Sequence, residues 1–268
     1  MENSKFTKGY KILTAVISLI IGIALVTCGS VFHEQLGKAL EYTLNVFGAI
    51  FSFVSLVLFY FAFKTGENKL TVKQMTLIAV QSAISVILYY FVKFNVPFFP
   101  PWLDIQVSEI PALITAFAYG PYAGSLVIFI RFVTKLPATI TAGVGEVADL
   151  VLGVTLVVIS SMMYRRHKSI KSALIGTVTG TLVCTVLACI LNWLVLIPAY
   201  VHLAGFSIEM LSGMLSYIPW FEVTPENFMV AYIFIGVLPF NLFRYVIVAI
   251  ITFILYKKTH IILNRLSK

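Results

Sequence analysis

Asn192, Asn241 and Arg244 are the residues of this chain best suited to grip a polar guest, because each falls inside a stretch apolar enough to lie in lipid. A buried amide or guanidinium costs free energy unless a partner satisfies it, so polar groups at that depth mark ligand or ion pathways. Asn241 and Arg244 are three positions apart and share one helix face. They follow Pro239, whose missing N–H frees a carbonyl and bends the span. Together they offer amide and guanidinium donors to a carbonyl-rich ring or a phosphate. The competing account is structural: Arg244 snorkels or pairs with a carboxylate, and Asn192 caps or glues helices. Glu146 and Asp149 are also three apart, near a helix start where the dipole favours carboxylates. End placement accounts for Asp149, while Glu146 fits an outward-facing site equally well.

Other chemistry is poorly served. No nucleophile with its base, metal-type cysteine spacing or Walker phosphate loop occurs, so the chain reads as a non-enzyme and any ATP-driven work falls to another chain. His33, His167, His202 and His260 are scattered in or near expected loops, and Cys28, Cys184 and Cys189 sit in apolar stretches as packing residues. Ala79 and Ala83 form a small-xxx-small pair that lets another helix approach, from within the chain or from a partner. Phe94, Phe98, Phe99 and Trp102 surround a proline-rich segment, either as a lid over an aromatic ligand or as an interfacial belt.

The elements that carry these residues must be membrane helices. A 268-residue chain that is 60% hydrophobic and 11% charged, with mean hydropathy +0.98, cannot hide its apolar surface in one soluble core. Spans of about 20 apolar residues are expected near 10–32, 40–63, 75–92, 144–164, 173–200 and 228–256. The stretch 110–132 is apolar throughout, but Gly120, Pro121 and Gly124 interrupt it and predict two shorter helices meeting at a turn. Prolines 97, 100 and 101 predict a loop at 94–101, and 201–227 reads as partly helical and interfacial. With the amino terminus inside, the cytoplasm collects most Lys and Arg, including Arg165, Arg166, Lys168 and Lys171, while Lys38, Lys93, Arg131 and Lys135 fall outside and Arg244 lies within a span. That balance favours eight transmembrane helices with both termini cytoplasmic. The net charge of +8 is thereby topological and implies no nucleic acid.

Five segments also carry a family likeness: LDIQVSEIPALI from Leu103, AYGPYAG from Ala118, GVGEVADLVLG from Gly143, ILNWLVLIPAY from Ile190 and GVLPFNLFR from Gly236. In order and spacing they resemble the substrate-binding S components of energy-coupling factor (ECF) vitamin transporters, specifically the riboflavin type. The likeness covers roughly 73–260 and implies an all-α, six-helix membrane bundle, here preceded by two additional amino-terminal transmembrane helices. The domains expected are thus 1–72, a two-helix extension with its linker, and 73–268, the S-component bundle. The likeness further implies riboflavin or a related flavin such as FMN as transported ligand rather than cofactor, and a T component with two ATPase subunits as partners.

Matched motif to motif, Asn192, Asn241 and Arg244, with Glu146 and Leu103, become the substrate contacts, and Ala79 and Ala83 face the T component. The chain departs from the riboflavin-type pattern at four places, one of them Arg244, which takes the place of a lysine. Arg131 and Phe132 replace Lys-Asn, Asp149 replaces an asparagine, and Gln106 to Glu109 (QVSE) replace DFSD. Another vitamin, or a flavin-trafficking or export role on the same bundle, stays open at this point.

Overall fold

The computed structural model describes residues 70–96, 99, 103–138, 143–203, 205–215 and 221–266. The expected spans at 10–32 and 40–63, and the side chains of Phe98 and Trp102, lie outside the described residues. The described residues fall into two units, one comprising Thr71–Leu194 and Phe206–Lys268 and another that includes Val195–Gly205.

Helix α1 spans Val72–Phe91 and starts at a capping box, in which Thr71 accepts from the Gln74 backbone and the Gln74 side chain accepts from Thr71 N–H. A short antiparallel hairpin follows, β1 (Lys93–Asn95) against β2 (Asp104–Gln106), with Phe94 opposite Ile105. Composition predicts only a loop here. The strands are three residues each, too short for alternation to show, and they flank the prolines on either side.

The apolar stretch after the hairpin divides as its glycines predict. Helix α2 (Ile110–Tyr119) ends at Gly120, and α3 (Pro121–Lys135) starts directly after it. Gly120 has φ +100°, a conformation open to glycine and strained for other residues, and Pro121 supplies the fixed φ of a first helical position. The two helices fold back on each other: a Cβ at Gly124 would lie 2.5 Å from Ala116 Cβ and 2.7 Å from the Ala112 carbonyl. Backbones therefore approach without side chains between them, the packing mode that replaces hydrophobic drive in lipid. Nearly all of α2 is buried, from Ile110 to Phe117, with α1, α3, α4 and α9 around it.

Helix α4 (Val144–His167) and helix α5 (Ile170–Leu191) share the most extensive contact among the described helices, joined through Lys168 and Ser169. Arg165, Arg166 and His167 occupy the last turn of α4, where cations favour the helix dipole. Ser169 accepts from Ser172 N–H at 3.1 Å and caps α5. Ser169→Ala should cost about 0.5–2 kcal/mol, read as a lower melting temperature of the detergent-solubilised protein; an unchanged melting temperature would contradict the cap.

Helix α5 continues through a wide π turn, Asn192–Leu196, into α6 (Ile197–Leu203). After the short α7 (Ile208–Gly213), α8 (Phe228–Ala231) runs through a second π turn, Tyr232–Val237, into α9 (Leu238–Leu266). Each π turn ends two residues before a proline, Pro198 or Pro239. Widening the turn relieves the clash of the proline ring with the preceding carbonyls, and such turns gather at functional sites. Among the described residues, four helices are long and apolar enough to cross a membrane: Val72–Phe91, Val144–His167, Ile170–Val201 and Phe228–Leu255.

Candidate functional site

Five buried charges meet where α2, α3, α4 and α9 converge. Asp149, in the second turn of α4, is the common acceptor: its Oδ2 accepts from Arg131 Nη2 at 2.9 Å and Lys135 Nζ at 2.7 Å, and its Oδ1 accepts from Arg244 Nη2 at 3.1 Å. Glu109, immediately before α2, makes a tight ion pair with Arg244 through Oε1, which also lies 3.7 Å from Arg131 Nη1. Arg131 Nη1 donates to Ser108 Oγ at 2.5 Å, and Ser108 Oγ donates to Gln106 Oε1 at 3.2 Å.

The cluster is tied to α1 as well. Lys135 Nζ sits 3.9 Å from the centre of the Tyr89 ring, and Ser85 Oγ donates to the Ser108 carbonyl at 2.6 Å. Glu109 and Arg131 are each 1% exposed. Charges this deep persist only when paired and hydrogen-bonded, yet Glu109 Oε2, Arg131 Nε and Arg244 Nε have no partner among the described residues. The arrangement therefore offers one acceptor and two donors still to be satisfied.

The residues singled out by sequence are placed as follows. Arg244 is buried and paired with both Glu109 and Asp149 rather than snorkelling. Asn241, one turn earlier on the same face, is buried, and its Nδ2 donates to the Val237 carbonyl at 2.8 Å, inside the π turn. Asn192 opens the other π turn; its Nδ2 donates to the Ala188 carbonyl at 2.8 Å and its Oδ1 accepts from Tyr232 Oη at 2.9 Å. Asn192 thus links α5 to the second π turn, as the gluing account has it. Glu146 is buried one turn before Asp149, and Leu103 is half-buried just before β2. Ala79 and Ala83 are exposed on α1, while Ile78, Ser82 and Ser85 turn inward.

End placement alone does not account for Asp149, which joins α4 to α3 and α9, and Arg131 and Lys135, assigned to the outer side by charge balance, are buried within the protein at 1% and 5% exposure. Glu109, Lys135, Ser108 and Tyr89 escaped the sequence reading as a set because their partners lie in other segments; the only local signal is the four-residue spacing of Arg131 and Lys135 at one helix end. From the proline-rich segment, Phe99 packs edge-on against Phe240 of α9, ring centres 5.3 Å apart, which places an aromatic of that segment beside the Asn241 turn. A separate groove of about 290 Å³ between α5 and α9 is lined by apolar residues such as Val178, Leu182, Val246 and Ile250, and none of the candidates borders it.

The family described as "ECF transporter, substrate-specific component" matches residues 73–256, well over half of the chain. The chain belongs to this family. Among relatives of this substrate-specific component, the riboflavin transporter RibU of Staphylococcus aureus is 28% identical over 205 residues, covering 75% of this chain and 99% of the relative. The riboflavin transporter FmnP of Bacillus subtilis is 26% identical over 193 residues, covering 70% and 92%. RibU of Leuconostoc mesenteroides is 30% identical over 198 residues, covering 69% and 90%. A solved structure described as "Structure and mechanism of the S component of a bacterial ECF transporter" superposes with a TM-score of 0.56 at 27% identity, covering 71% of this chain and 97% of that one.

The protein is therefore a multi-pass membrane subunit of a transporter, from a family of transport components rather than enzymes. Its fold is the mostly helical S-component fold. Two positions at which this substrate-specific component departs from the riboflavin-type motifs, Arg131 and Asp149, are bonded to each other at 2.9 Å.

Proposed function

We propose that the chain captures riboflavin, or a close flavin, from outside the cell and passes it across the membrane in a complex with a T component and two ATPases. Its relatives RibU and FmnP are riboflavin transporters, and they align over nine-tenths or more of their own lengths. The observation that carries the site is the pairing of Asn241 and Arg244 on one buried face after a π turn, with Arg244 held by two carboxylates. Anchoring the Asn241 Nδ2 on its own helix directs the amide oxygen away from that helix, as an acceptor for a ring N–H or a ribityl hydroxyl. Asn192, Glu146 and Leu103 complete the set of contacts, with Tyr232 yielding its hydrogen bond on Asn192 to the ligand.

In this reading the bundle spans 73–268 with six helices, and 1–72 adds two more, both termini facing the cytoplasm. The exposed Ala79 and Ala83 on α1 give a flat strip against which a T-component helix can lie. Flavin is cargo, and the chain needs no cofactor of its own.

Titrating the purified protein with riboflavin and following the quenching of flavin fluorescence tests the reading. Asn241→Ala should weaken binding by about 1–3 kcal/mol, since the ligand group it faces would be left unpaired. A titration that overlays the parent's removes Asn241 from the pocket.

A further inference from the structure

The apolar groove between α5 and α9 stands apart from the charge cluster. Its rims are large side chains left exposed, Leu174, Val178 and Leu182 on α5 and Leu242, Val246 and Ile250 on α9, and its lining includes the buried Thr181. At about 1.5 Å per residue, the lining from Leu174 to Leu182 and from Leu242 to Ile254 runs for roughly 12 to 18 Å. One leaflet of hydrocarbon is about 15 Å deep. A volume of about 290 Å³ drawn out over that length has a section on the order of 20 Å², a slot for one extended hydrocarbon chain and too narrow for a helix about 10 Å across.

One end of the slot is basic. Lys171 stands one turn before Leu174 on the same face of α5, and its side chain is exposed. Lys168, in the turn before α5, is exposed too, as are Arg165 and Arg166 in the last turn of α4. None of these cations is ion-paired among the described residues. Neither α5 nor α9 contains an Asp or Glu, and Lys257 and Lys258 follow Ile254 in the next turn of α9. The amino terminus of α5 adds its positive dipole end at the same place. At the opposite end, by Leu182 and Leu242, neither helix bears an exposed charge among the described residues.

We propose that this groove is a binding site for one anionic phospholipid, which lays an acyl chain between α5 and α9 and sets its phosphate against Lys171 and Lys168. The lipid comes from the leaflet on the side of the α4–α5 turn. Any exposed membrane helix is wetted by lipid; a slot of leaflet length with cations at one end selects a lipid by chain and by charge together. The site is independent of the flavin reading, because none of the flavin contacts borders the groove.

The test is native mass spectrometry of the full-length protein released from detergent micelles that contain dioleoyl phosphatidylglycerol and dioleoyl phosphatidylcholine at equal concentration. The parent should retain one phosphatidylglycerol in at least about tenfold preference, since each lysine beside an anionic head group contributes about fivefold. Lys168→Gln combined with Lys171→Gln should cut that preference to about threefold or less, while Lys73→Gln, an exposed lysine at the start of α1, should leave it unchanged. Val178→Trp or Ile250→Trp, which fill the slot and spare the lysines, should lower retention of both lipids at least about tenfold. Dihexanoyl phosphatidylglycerol, with the same head group on short chains, should be retained at least about tenfold less than the dioleoyl form. Equal retention of the two dioleoyl lipids by the parent overturns the proposal and leaves an unselective lipid coat. An unchanged preference in the double lysine variant overturns it as well, as does unchanged retention in a folded tryptophan variant. Should neither tryptophan variant fold, equal retention of the dihexanoyl and dioleoyl forms has the same force. Retention of no phospholipid also overturns it, and a dimer in that spectrum would assign the groove to a second copy of the chain.

Discussion

Arg244→Met is expected to destabilise the protein by about 3–5 kcal/mol, the cost of breaking a buried ion pair by removing one partner. Arg244 hydrogen-bonds Glu109 through Oε1 and Asp149 through Oδ1, whereas Arg131 hydrogen-bonds Asp149 and stands 3.7 Å from Glu109. Methionine fills a similar space but leaves Glu109, 1% exposed, with Arg131 at 3.7 Å as its remaining counter-charge. Asp149 fares better, since Arg131 and Lys135 still reach its Oδ2. The damage should therefore concentrate on Glu109, and adding Glu109→Gln to Arg244→Met should recover part of the loss. Such non-additivity between contacting residues is the signature of a direct pair. Thermal unfolding of the four proteins of this cycle measures it; strictly additive melting shifts, or an Arg244→Met variant as stable as the parent, would show that the pair contributes nothing. Arg244→Lys should fall between, because an ammonium keeps the charge but, on a shorter side chain, does not reach the place from which Nη2 donates to both carboxylates.

Gly124→Leu is expected to prevent assembly of the bundle, and Gly124→Ala to cost about 1–3 kcal/mol by overpacking. A Cβ at Gly124 meets Ala116 Cβ at 2.5 Å, the Ala112 carbonyl at 2.7 Å and Val157 Cγ1 at 2.7 Å. Two of these three neighbours belong to α2 and one to α4, so relief requires α3 to move from both at once. Ala112 and Ala116 are themselves fully buried and cannot shrink further without becoming glycine. Movement of α3 would also draw Arg131 and Lys135 away from Asp149, so packing damage at Gly124 should appear as lost ligand binding too. Gly213→Ala serves as the control, since nothing among the described residues lies within 4 Å of its added Cβ. Comparable yields and melting temperatures for Gly124→Ala and Gly213→Ala would refute the close approach.

Much of this was legible beforehand, residue by residue. The break at Gly120 and Pro121, an irregularity of the helix near Pro239 and the helical continuity of 144–164 followed from local chemistry: which residue tolerates positive φ, which lacks an N–H, which side chains lie in lipid. The burial of Arg131 and Lys135 did not follow. A charge at the end of an apolar run has two outcomes, solvation in a loop or pairing inside, and the run itself is the same in both. Asp149 illustrates the same ambiguity, because a carboxylate near a helix start is stabilised by the dipole whether or not a guanidinium waits opposite. The aromatic segment was ambiguous for a related reason: Phe99 suits a belt or a lid until Phe240 is known to stand beside it.

Composition and order alone determined that this chain lives in lipid as a set of helices, where those helices break, and, through five short motifs, the kind of transporter to which it belongs. These properties are sums over neighbouring residues, so a window of about 20 positions contains them. Tertiary structure decided which charges are buried and with whom. Arg244 and Glu109 are 135 positions apart, and Arg244 and Asp149 are 95 apart. The energy that keeps each of them ionised in a low-dielectric interior comes from the others, so the site exists only once four helices have packed.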